Sequence, residues 1–385
     1  MRNLKNKKKY DFSLLNSIVK ILKKNNYSSV QYFPSSFSFL AVAKEHENII
    51  NLFRKNKHLI FYFSLFPKFY RYFMTKKQKA CLDIFFYNIP VSKNLLVEVL
   101  GKNLLEKVIK NEIVLKNKDR FIFKISFVPY KNYIFLRDNY RIYKSRFDPK
   151  KSGKSVWMGG DSIMFLRFLD KFLIGKKFNR IIEIGSGTGI VINSISKKSK
   201  FCEAIDYNRQ AVEYTFLNTK LNKIKNIKIY YSNLFSNIKN KFDLIVANPW
   251  FVDLKKGGLE EAPYIIDKLD NHLNKKGYLL MILNSYVKKG KDTAYSYLKK
   301  ITIKKNFDIS IFVNGYSIET DRLKDYKKYD INYYVSYNVI IKKNGTGLLK
   351  RYETSIYRRT RDFTFINLYK FITSCVNIII TLQFN

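Results

Sequence analysis

The stretch Arg180-Ile-Ile-Glu-Ile-Gly-Ser-Gly-Thr-Gly189 decides the fold of this chain. Its first five residues are mostly apolar, as in a strand buried on both faces of a parallel sheet, and three alternate glycines follow. Glycine permits positive φ angles in a tight strand-to-helix turn and lets a ligand approach the backbone amides that open the next helix. The stretch therefore predicts an α/β fold with a ligand-binding loop at the carboxyl edge of its sheet.

The residues flanking this loop favour an amino-acid-bearing nucleoside over a dinucleotide as the ligand. A dinucleotide-binding loop of this type requires a third glycine at position 190, which is Ile190 in this chain. Glu183 lies just before the loop, where a carboxylate would repel a pyrophosphate but can accept hydrogen bonds from an ammonium group. The sequence therefore predicts a ligand that carries a cationic amine.

A second acid fits the same kind of ligand. Asp206 ends the next predicted strand, Phe201–Asp206, and lies 21 positions after Gly185. A carboxylate at this strand end can bind both hydroxyls of a ribose. Asn208 is a good helix N-cap residue, so we expect a helix from there to about Leu221.

Segments along this half of the chain match a known family in order and in spacing. They are Glu183-Ile-Gly-Ser-Gly-Thr-Gly189, Asp206, Ser232-Asn-Leu-Phe235, Asp243-Leu-Ile-Val-Ala-Asn-Pro-Trp-Phe-Val252 and Lys276-Gly-Tyr-Leu-Leu-Met281. In these residues the chain resembles the class I S-adenosylmethionine-dependent methyltransferases of the methyltransferase small domain group, over roughly residues 156–343. The resemblance implies a Rossmann-like, seven-stranded sheet and S-adenosyl-L-methionine as the cofactor.

The resemblance also implies a role for each residue of the cofactor site. The methionine end would be held by Glu183 and by the loop residues Gly185, Ser186, Gly187, Thr188 and Gly189. Asp206 would bind the ribose, and Asn233 would bind the adenine edge. The family usually has an acid at the position of Asn233, but an asparagine oxygen can still accept a hydrogen bond from the adenine amine.

The same resemblance assigns the methyl acceptor to the motif Asn248-Pro-Trp-Phe251, where the family usually has Asn-Pro-Pro followed by Tyr or Phe. A nitrogen in a planar amine or amide has a delocalised lone pair. Its attack improves if the Asn248 side-chain oxygen and the Pro249 carbonyl each accept one N–H bond and orient it. We expect Phe251 to stack on the planar group and Trp250, in place of the second proline, to add a flat apolar surface.

Composition predicts a folded, multidomain protein with polyanionic partners. The chain has 385 residues, and 72 Lys and Arg against 30 Asp and Glu give a net charge of +42. Its three cysteines, Cys81, Cys202 and Cys375, form no Cys-x-x-Cys pair, so we expect a reducing compartment and no metal site. The basic N-terminus lacks an apolar signal core, and polar residues interrupt Phe363–Phe384, so we expect a cytoplasmic protein without a membrane span.

The N-terminal region predicts a separate α+β module. Lys76–Tyr87, Val91–Leu100 and Asn103–Lys110 have helical periodicity, and Ile113–Lys124 is typical of two strands joined by a turn. Helices followed by a hairpin suggest a winged-helix-like domain, an arrangement that precedes this methyltransferase type in part of the family. Such modules either bind nucleic acid or serve as scaffolds, and the sequence favours neither role.

We therefore expect three regions. Residues 1–150 form the N-terminal winged-helix-like domain, 151–345 the methyltransferase domain, and 346–385 an extension packed on it, with a linker at Phe147–Lys154. Asp161 is expected to cap the helix that follows the linker. Beyond the strands already named, we predict strands at 228–231, 243–247, 278–283, 309–313 and 333–343, and a helix over Tyr264–Leu273.

The sequence favours an S-adenosylmethionine-dependent N-methyltransferase that acts on an exocyclic amine of a nucleic-acid base. RNA, either ribosomal or transfer RNA, is the favoured substrate, and RNA or the ribosome is the expected partner. The first alternative is a glutamine N-methyltransferase of the release-factor type, with a translation factor as its protein substrate. The second alternative is a non-catalytic RNA-binding protein with a degenerate methyltransferase fold.

Overall fold

The structure is a computed structural model that describes residues 10–27, 74–139, 142, 156, 158–249, 259–317 and 323–353. The predicted linker, the motif residues Trp250 and Phe251, the apolar segment Phe363–Phe384 and Cys375 lie outside these residues. None of the helices that the described residues form has the length and apolar content that a membrane crossing requires.

The N-terminal part of the described chain consists of helices followed by two β-hairpins. The helices are α1 (Phe12–Lys24), α2 (Lys76–Cys81), which continues as a π-helical turn over Leu82–Phe86, α3 (Lys93–Leu100) and α4 (Lys102–Lys110). The strands are β1 (Val91–Ser92), β2 (Val114–Asn117), β3 (Arg120–Phe123), β4 (Ile125–Tyr130) and β5 (Tyr133–Asp138). The first three form a sheet in the order β1-β3-β2, and β4 pairs with β5.

The helices and the hairpin expected between residues 76 and 124 are present with shifted bounds. α3 begins two residues later than expected because Ser92 caps it, its hydroxyl accepting a bond from the Leu95 amide at 3.4 Å. Val91 pairs with Phe121 instead of entering the helix. The assignment of this module as winged-helix-like, and its boundary at residue 150, stay predictions.

The second part of the chain is a twisted, largely parallel sheet with helices on both faces. Its strands are β6 (Phe178–Ile184), β7 (Ser199–Asp206), β8 (Ile227–Tyr231), β9 (Phe242–Ala247), β10 (Leu273–Lys288), β11 (Lys291–Asp292), β12 (Asp308–Ser317), β13 (Ile331–Lys342) and β14 (Leu349–Glu353). Its helices are α5 (Gly160–Phe172), α6 (Ile190–Ile195), α7 (Arg209–Leu221), α8 (Ala262–Asp267), α9 (Leu269–His272), α10 (Thr293–Lys305) and α11 (Leu323–Lys328).

The strand order β14-β12-β13-β10-β9-β6-β7-β8 confirms the predicted α/β class. All seven predicted strands are present, and β13 runs antiparallel to both of its neighbours. Two short strands make the sheet larger than predicted, since β11 pairs with the end of β10 and β14 adds to β12 at the edge. The predicted helix over Tyr264–Leu273 is two short helices, α8 and α9.

The expectation that Asp161 caps α5 is wrong. α5 begins at Gly160 after Gly159, which makes no side-chain cap bond, so Asp161 already lies within the first turn. Its carboxylate instead accepts a hydrogen bond from the side-chain amide of Asn248, 87 positions away. The helix start is thereby tied to the end of β9.

Each face of the sheet has its own apolar core. Ile181 of β6 belongs to the core on the side of α5, α6 and α7, whereas Ile182 belongs to the core on the side of α8, α9 and α10. Burial on both faces explains why these parallel strands are nearly continuous apolar runs in the sequence. The α5 side also contains the buried residues of α1 and of the N-terminal hairpins, so the two parts of the chain share one core.

The second N-terminal hairpin, which the sequence analysis missed, joins α7 through two asparagines. Asn218 accepts a hydrogen bond from the Leu136 amide at 2.7 Å and donates to the Leu136 carbonyl at 3.0 Å. Asn222 does the same to Ile134, at 3.1 and 3.0 Å. Because a buried strand edge must find partners for its backbone groups, the two side chains replace a missing neighbouring strand.

We predict that Asn218→Ala destabilises the protein by about 1–3 kcal/mol, because it leaves buried backbone groups of β5 without partners. The free energy of unfolding in denaturant measures this loss. Asn94→Ala, which removes an exposed asparagine from α3, should change stability by less than about 0.5 kcal/mol. Equal stability of the two variants would contradict the proposed docking of the hairpin.

Candidate active site

The predicted site residues meet at the carboxyl edge of the sheet, where the strand order reverses. Ile184, the last residue of β6, lies opposite Ile205 of β7 on one side and Ala247 of β9 on the other. The residues that follow each strand, namely the glycine loop, Asp206 and Asn248, therefore start side by side. Such a reversal point leaves a crevice in which α/β proteins bind ligands.

The glycine loop is held against α7 on one side and faces open space on the other. The Ser186 amide donates to the Ile205 carbonyl at 2.9 Å, and the Ser186 and Thr215 hydroxyls lie 3.0 Å apart. Gly189 has φ of 72°, and a Cβ added there would lie 2.7 Å from Cγ2 of Thr215. A Cβ added at Gly185 meets no atom of the described residues within 4 Å, so these residues leave room for a ligand on that side.

Glu183 is a buried acid on β6, and its carboxylate lies at the amino-terminal end of α6. Its Oε2 accepts a hydrogen bond from the Ile192 amide at 2.9 Å, and no hydrogen bond to its Oε1 is made by the described residues. Burial raises the pKa of Glu183 well above its usual value of 4.5, and the charge of Asp206 raises this pKa further. A cation beside Oε1 would favour the ionised form and lower this pKa.

Asp206 is also buried and braces the loop. Its Oδ2 accepts from the Gly187 amide at 2.9 Å, and its Oδ1 accepts from the Asn208 amide at 2.8 Å. Burial raises the pKa of Asp206, although these backbone bonds act in the opposite direction. The Tyr207 amide is a third backbone donor that lowers this pKa. A carboxylate has about four lone-pair positions, so it can still accept a bond from a ligand hydroxyl.

Asn248 has a buried acceptor atom for which the described residues supply no donor. Its Nδ2 donates to Oδ2 of Asp161 at 2.9 Å, which fixes the orientation of the amide. Its Oδ1 is buried and makes no hydrogen bond with the part of the chain that the structure describes. A buried amide oxygen without a partner costs free energy, so this atom is suited to accept a hydrogen bond from a ligand.

The remaining predicted site residues are placed less completely. Pro249 is buried next to Asn248, and Asn233 is exposed in the turn after β8, where Ser232 donates its amide to the Asp206 carbonyl at 3.1 Å. Trp250 and Phe251 lie outside the described residues, so their roles stay predictions.

Sequence reasoning missed two features of this site. It did not pair Asp161 with Asn248, because nothing local connects a helix start to a strand end. It also passed over Tyr207, which directly follows Asp206 and keeps 52% of its surface exposed at the ligand edge. Burial raises the pKa of Tyr207, and the charges of Glu261 and Asp206 raise it further.

Comparison with known proteins identifies relatives of this site. The family model "Methyltransferase small domain" matches residues 161–310, from the start of α5 into β12. The chain is 35% identical over 150 residues to a protein of Methanocaldococcus jannaschii described as a protein N5-glutamine methyltransferase, an alignment that covers 34% of this chain and 73% of that one.

Two bacterial relatives from Buchnera aphidicola extend the comparison. The release factor glutamine methyltransferase of subspecies Schizaphis graminum is 27% identical over 28% of this chain, and the match spans 47% of its own length. The ribosomal RNA small subunit methyltransferase C of subspecies Cinara cedri is also 27% identical, over 67% of this chain and 76% of its own length. The chain thus spans between about half and three quarters of the length of these three relatives.

We predict that Gly189→Ala destabilises the loop more than Gly185→Ala does. Both positions have positive φ, but an added methyl group clashes with Thr215 at position 189 alone. The free energy of unfolding of the two variants measures the difference. Thr215→Ser removes Cγ2 and retains the hydroxyl, so adding it to Gly189→Ala should recover part of the loss. No recovery in the double variant would show that the clash is not the cause.

Proposed function

Because this chain belongs to the methyltransferase small domain family of class I S-adenosylmethionine-dependent methyltransferases, we propose that it methylates an exocyclic amine of an RNA base. The observation that carries this proposal is the buried, unpartnered Oδ1 of Asn248, held in place by Asp161. A planar amine could donate one N–H to this oxygen, and the hydrogen bond would orient the amine.

The residues present fit the cofactor of the family. The ammonium group of its methionine end would pair with buried Glu183, beside a loop that is open at Gly185. Its ribose hydroxyls would donate to Asp206, and Asn233 is our proposed contact for its adenine edge. When bound, S-adenosylmethionine supplies a methyl group that is electrophilic because the sulfur to which it is attached carries a positive charge.

The chain's own residues would orient the acceptor nitrogen. Asn248 Oδ1 would accept one N–H, and the Pro249 carbonyl would accept the other, so that the nitrogen lone pair points toward the crevice. Asp161 would act as a positioning residue, since it holds the Asn248 amide by its nitrogen. We propose that Trp250 and Phe251 stack on the planar group and exclude water. No strong base is needed, because the nitrogen loses its proton late.

The net charge of the chain and the long alignment with one ribosomal RNA methyltransferase favour RNA over a protein as the acceptor. A net charge of +42 attracts a polyanion and provides no affinity for a neutral peptide. One ribosomal RNA methyltransferase aligns over 67% of this chain, beyond the 150 residues of the family match. Other ribosomal RNA methyltransferases and the glutamine methyltransferases align over about a third. We propose that the module over residues 1–150 contributes to RNA contact and that the protein acts in the cytoplasm.

Glutamine methylation remains the competing activity, and it rests on the 35% identical relative. A glutamine amide is also planar and could donate both N–H groups to Asn248 and Pro249. The substrate experiment below therefore has to separate the two activities. A non-catalytic role is the second competitor, and the hydrogen bond that orients Asn248 on Asp161 argues against it.

We predict that S-adenosylmethionine affinity falls as the pH drops through the raised pKa of Glu183, because protonation removes the partner of the ammonium group. Glu183→Gln should weaken binding roughly 10- to 100-fold at neutral pH and abolish this pH dependence. Calorimetry between about pH 8 and pH 5 measures both effects. Glu203→Gln, which changes another buried glutamate on β7, should keep the dependence.

The same variant should stabilise the protein without ligand. A carboxyl whose folded pKa lies above its unfolded pKa loses stability as pH rises from 4.5 toward the raised value. Glu183→Gln should therefore unfold at higher denaturant concentration than the parent at neutral pH, and the advantage should vanish below about pH 4.5. Weaker folding of the variant at neutral pH would contradict the assignment of Glu183 as a charge buried for ligand binding.

We predict that radiolabelled methyl transfer from S-adenosylmethionine appears in the RNA fraction of a cell extract and not in the protein or DNA fractions. Asn248→Ala should bind the cofactor normally but transfer roughly 100-fold or more slowly, because one preorganised polar contact is lost. Asp161→Asn should lower the rate less, since an amide can still hold Asn248. Label found only in protein would favour glutamine methylation, and an inactive parent would favour the non-catalytic alternative.

A further inference from the structure

The surface around α7 and β8 is rich in exposed aromatic residues. We define the α7–β8 face by Tyr207, Arg209, Phe216, Lys220, Tyr231 and Phe12. Among the described residues, six aromatic side chains are strongly exposed, namely Phe201, Tyr207, Phe216, Tyr231, Tyr264 and Tyr352. Three of these six lie on this one face, although isolated exposed rings are the ordinary case on protein surfaces.

Cations lie over the rings of this face. The Arg209 guanidinium lies 5.1 Å from the Tyr231 ring centre, and the Lys220 ammonium lies 5.2 Å from the Phe216 ring and 4.8 Å from the Phe12 ring. Phe216 and Tyr231 nevertheless remain 47% and 45% exposed. Positive charge and flat apolar surface are therefore available to solvent together.

The arrangement is continuous and begins at the cofactor edge. Arg209, Phe216 and Lys220 are separated by seven and four positions, so they lie along one side of α7 over about 16 Å. β8 is the outermost strand of the sheet, and Tyr231 projects to the same side as Ile229, which packs against the core beneath α7. Tyr207 directly follows Asp206, which places one end of the face beside the proposed ribose site.

We propose that the α7–β8 face binds a single-stranded segment of the substrate RNA next to the methylated base, an inference that rests on the proposed function. Exposed rings provide surfaces on which bases stack, and interleaved cations neutralise phosphates, which is how proteins hold single strands. Within α7, the cationic side chains Arg209 and Lys220 outnumber the single acid, Glu213. An acidic peptide would use the charges but would leave the rings without partners.

The test measures binding of a fluorescently labelled oligouridylate to the full chain in the presence of S-adenosylmethionine. Phe216→Ala and Tyr231→Ala should each weaken binding roughly 5- to 100-fold, and Phe216→Tyr should retain it because tyrosine also stacks. The matched control is Tyr264→Ala. Tyr264 is 43% exposed and has Lys268 5.7 Å from its ring, but its helix packs on the opposite face of the sheet.

Salt dependence separates stacking from charge. Lys220→Gln should reduce the slope of log affinity against log salt by about 0.7, as expected for one phosphate contact on a single strand. Phe216→Ala should lower the affinity and leave the slope unchanged. Lys268→Gln is the control for charge, and it should leave both quantities unchanged.

The outcomes distinguish this inference from the function on which it rests. A parent that binds no RNA would overturn the proposed RNA substrate itself. A parent that binds RNA while Phe216→Ala and Tyr231→Ala match Tyr264→Ala would overturn the α7–β8 face alone. Binding of an acidic peptide that competes with the oligouridylate and is equally weakened by Phe216→Ala would replace RNA by a protein partner.

Discussion

Parallel pairing of β6 with both β7 and β9 is the constraint on which the site depends. The chain adds β7 and β8 on one side of β6 and then returns to place β9 on the other side. Because parallel strands share the direction of their carboxyl ends, this return brings Asp206 and Asn248 to opposite flanks of the glycine loop. Residues that are distant in sequence therefore surround one crevice, without any loop having to reach far.

The crevice concentrates negative charge in a strongly basic protein. Glu183 and Asp206 are both buried, and burial raises the pKa of each. Such groups reduce stability in the absence of a ligand, since the ionised forms are poorly solvated. The backbone amides of the glycine loop only partly offset the cost of burying the two carboxylates. Such carboxylates are expected in a site that binds a cation and ribose hydroxyls.

The N-terminal part of the chain is physically coupled to this crevice. Asn218 donates to the Leu136 carbonyl of the hairpin at 3.0 Å and to the Thr188 carbonyl of the glycine loop at 2.8 Å. On the same helix, Tyr214 and Gln210 donate to Asp138 at 2.7 and 2.8 Å. One face of α7 thus supports both the loop and the hairpin, while Phe216 on its outer face is exposed, where we propose that the single strand binds.

Much of the fold, and the position of the candidate site residues at the ends of strands, could be predicted from the sequence because the signals are local. A buried parallel strand is an apolar run, a ligand loop needs glycines, and a cap such as Asn208 precedes its helix. The β4–β5 hairpin was not predicted, because all of β4 and nearly all of β5 is buried. Such strands lack the alternation of apolar and polar residues that identifies a half-exposed strand. The cap assigned to Asp161 failed because the helix already begins at Gly160, and the Asp161 carboxylate accepts a bond from Asn248.

The sequence by itself therefore determined the class of fold, the order of the strands along the chain, and the types of residue that end them. Only the tertiary structure decided which of those residues touch. The 87-residue separation of Asp161 and Asn248, and the shared contact of Asn218 with a hairpin and a loop, depend on how strands and helices pack. Hydrogen bonds of this kind join groups that have no sequence relationship, so no local pattern encodes them.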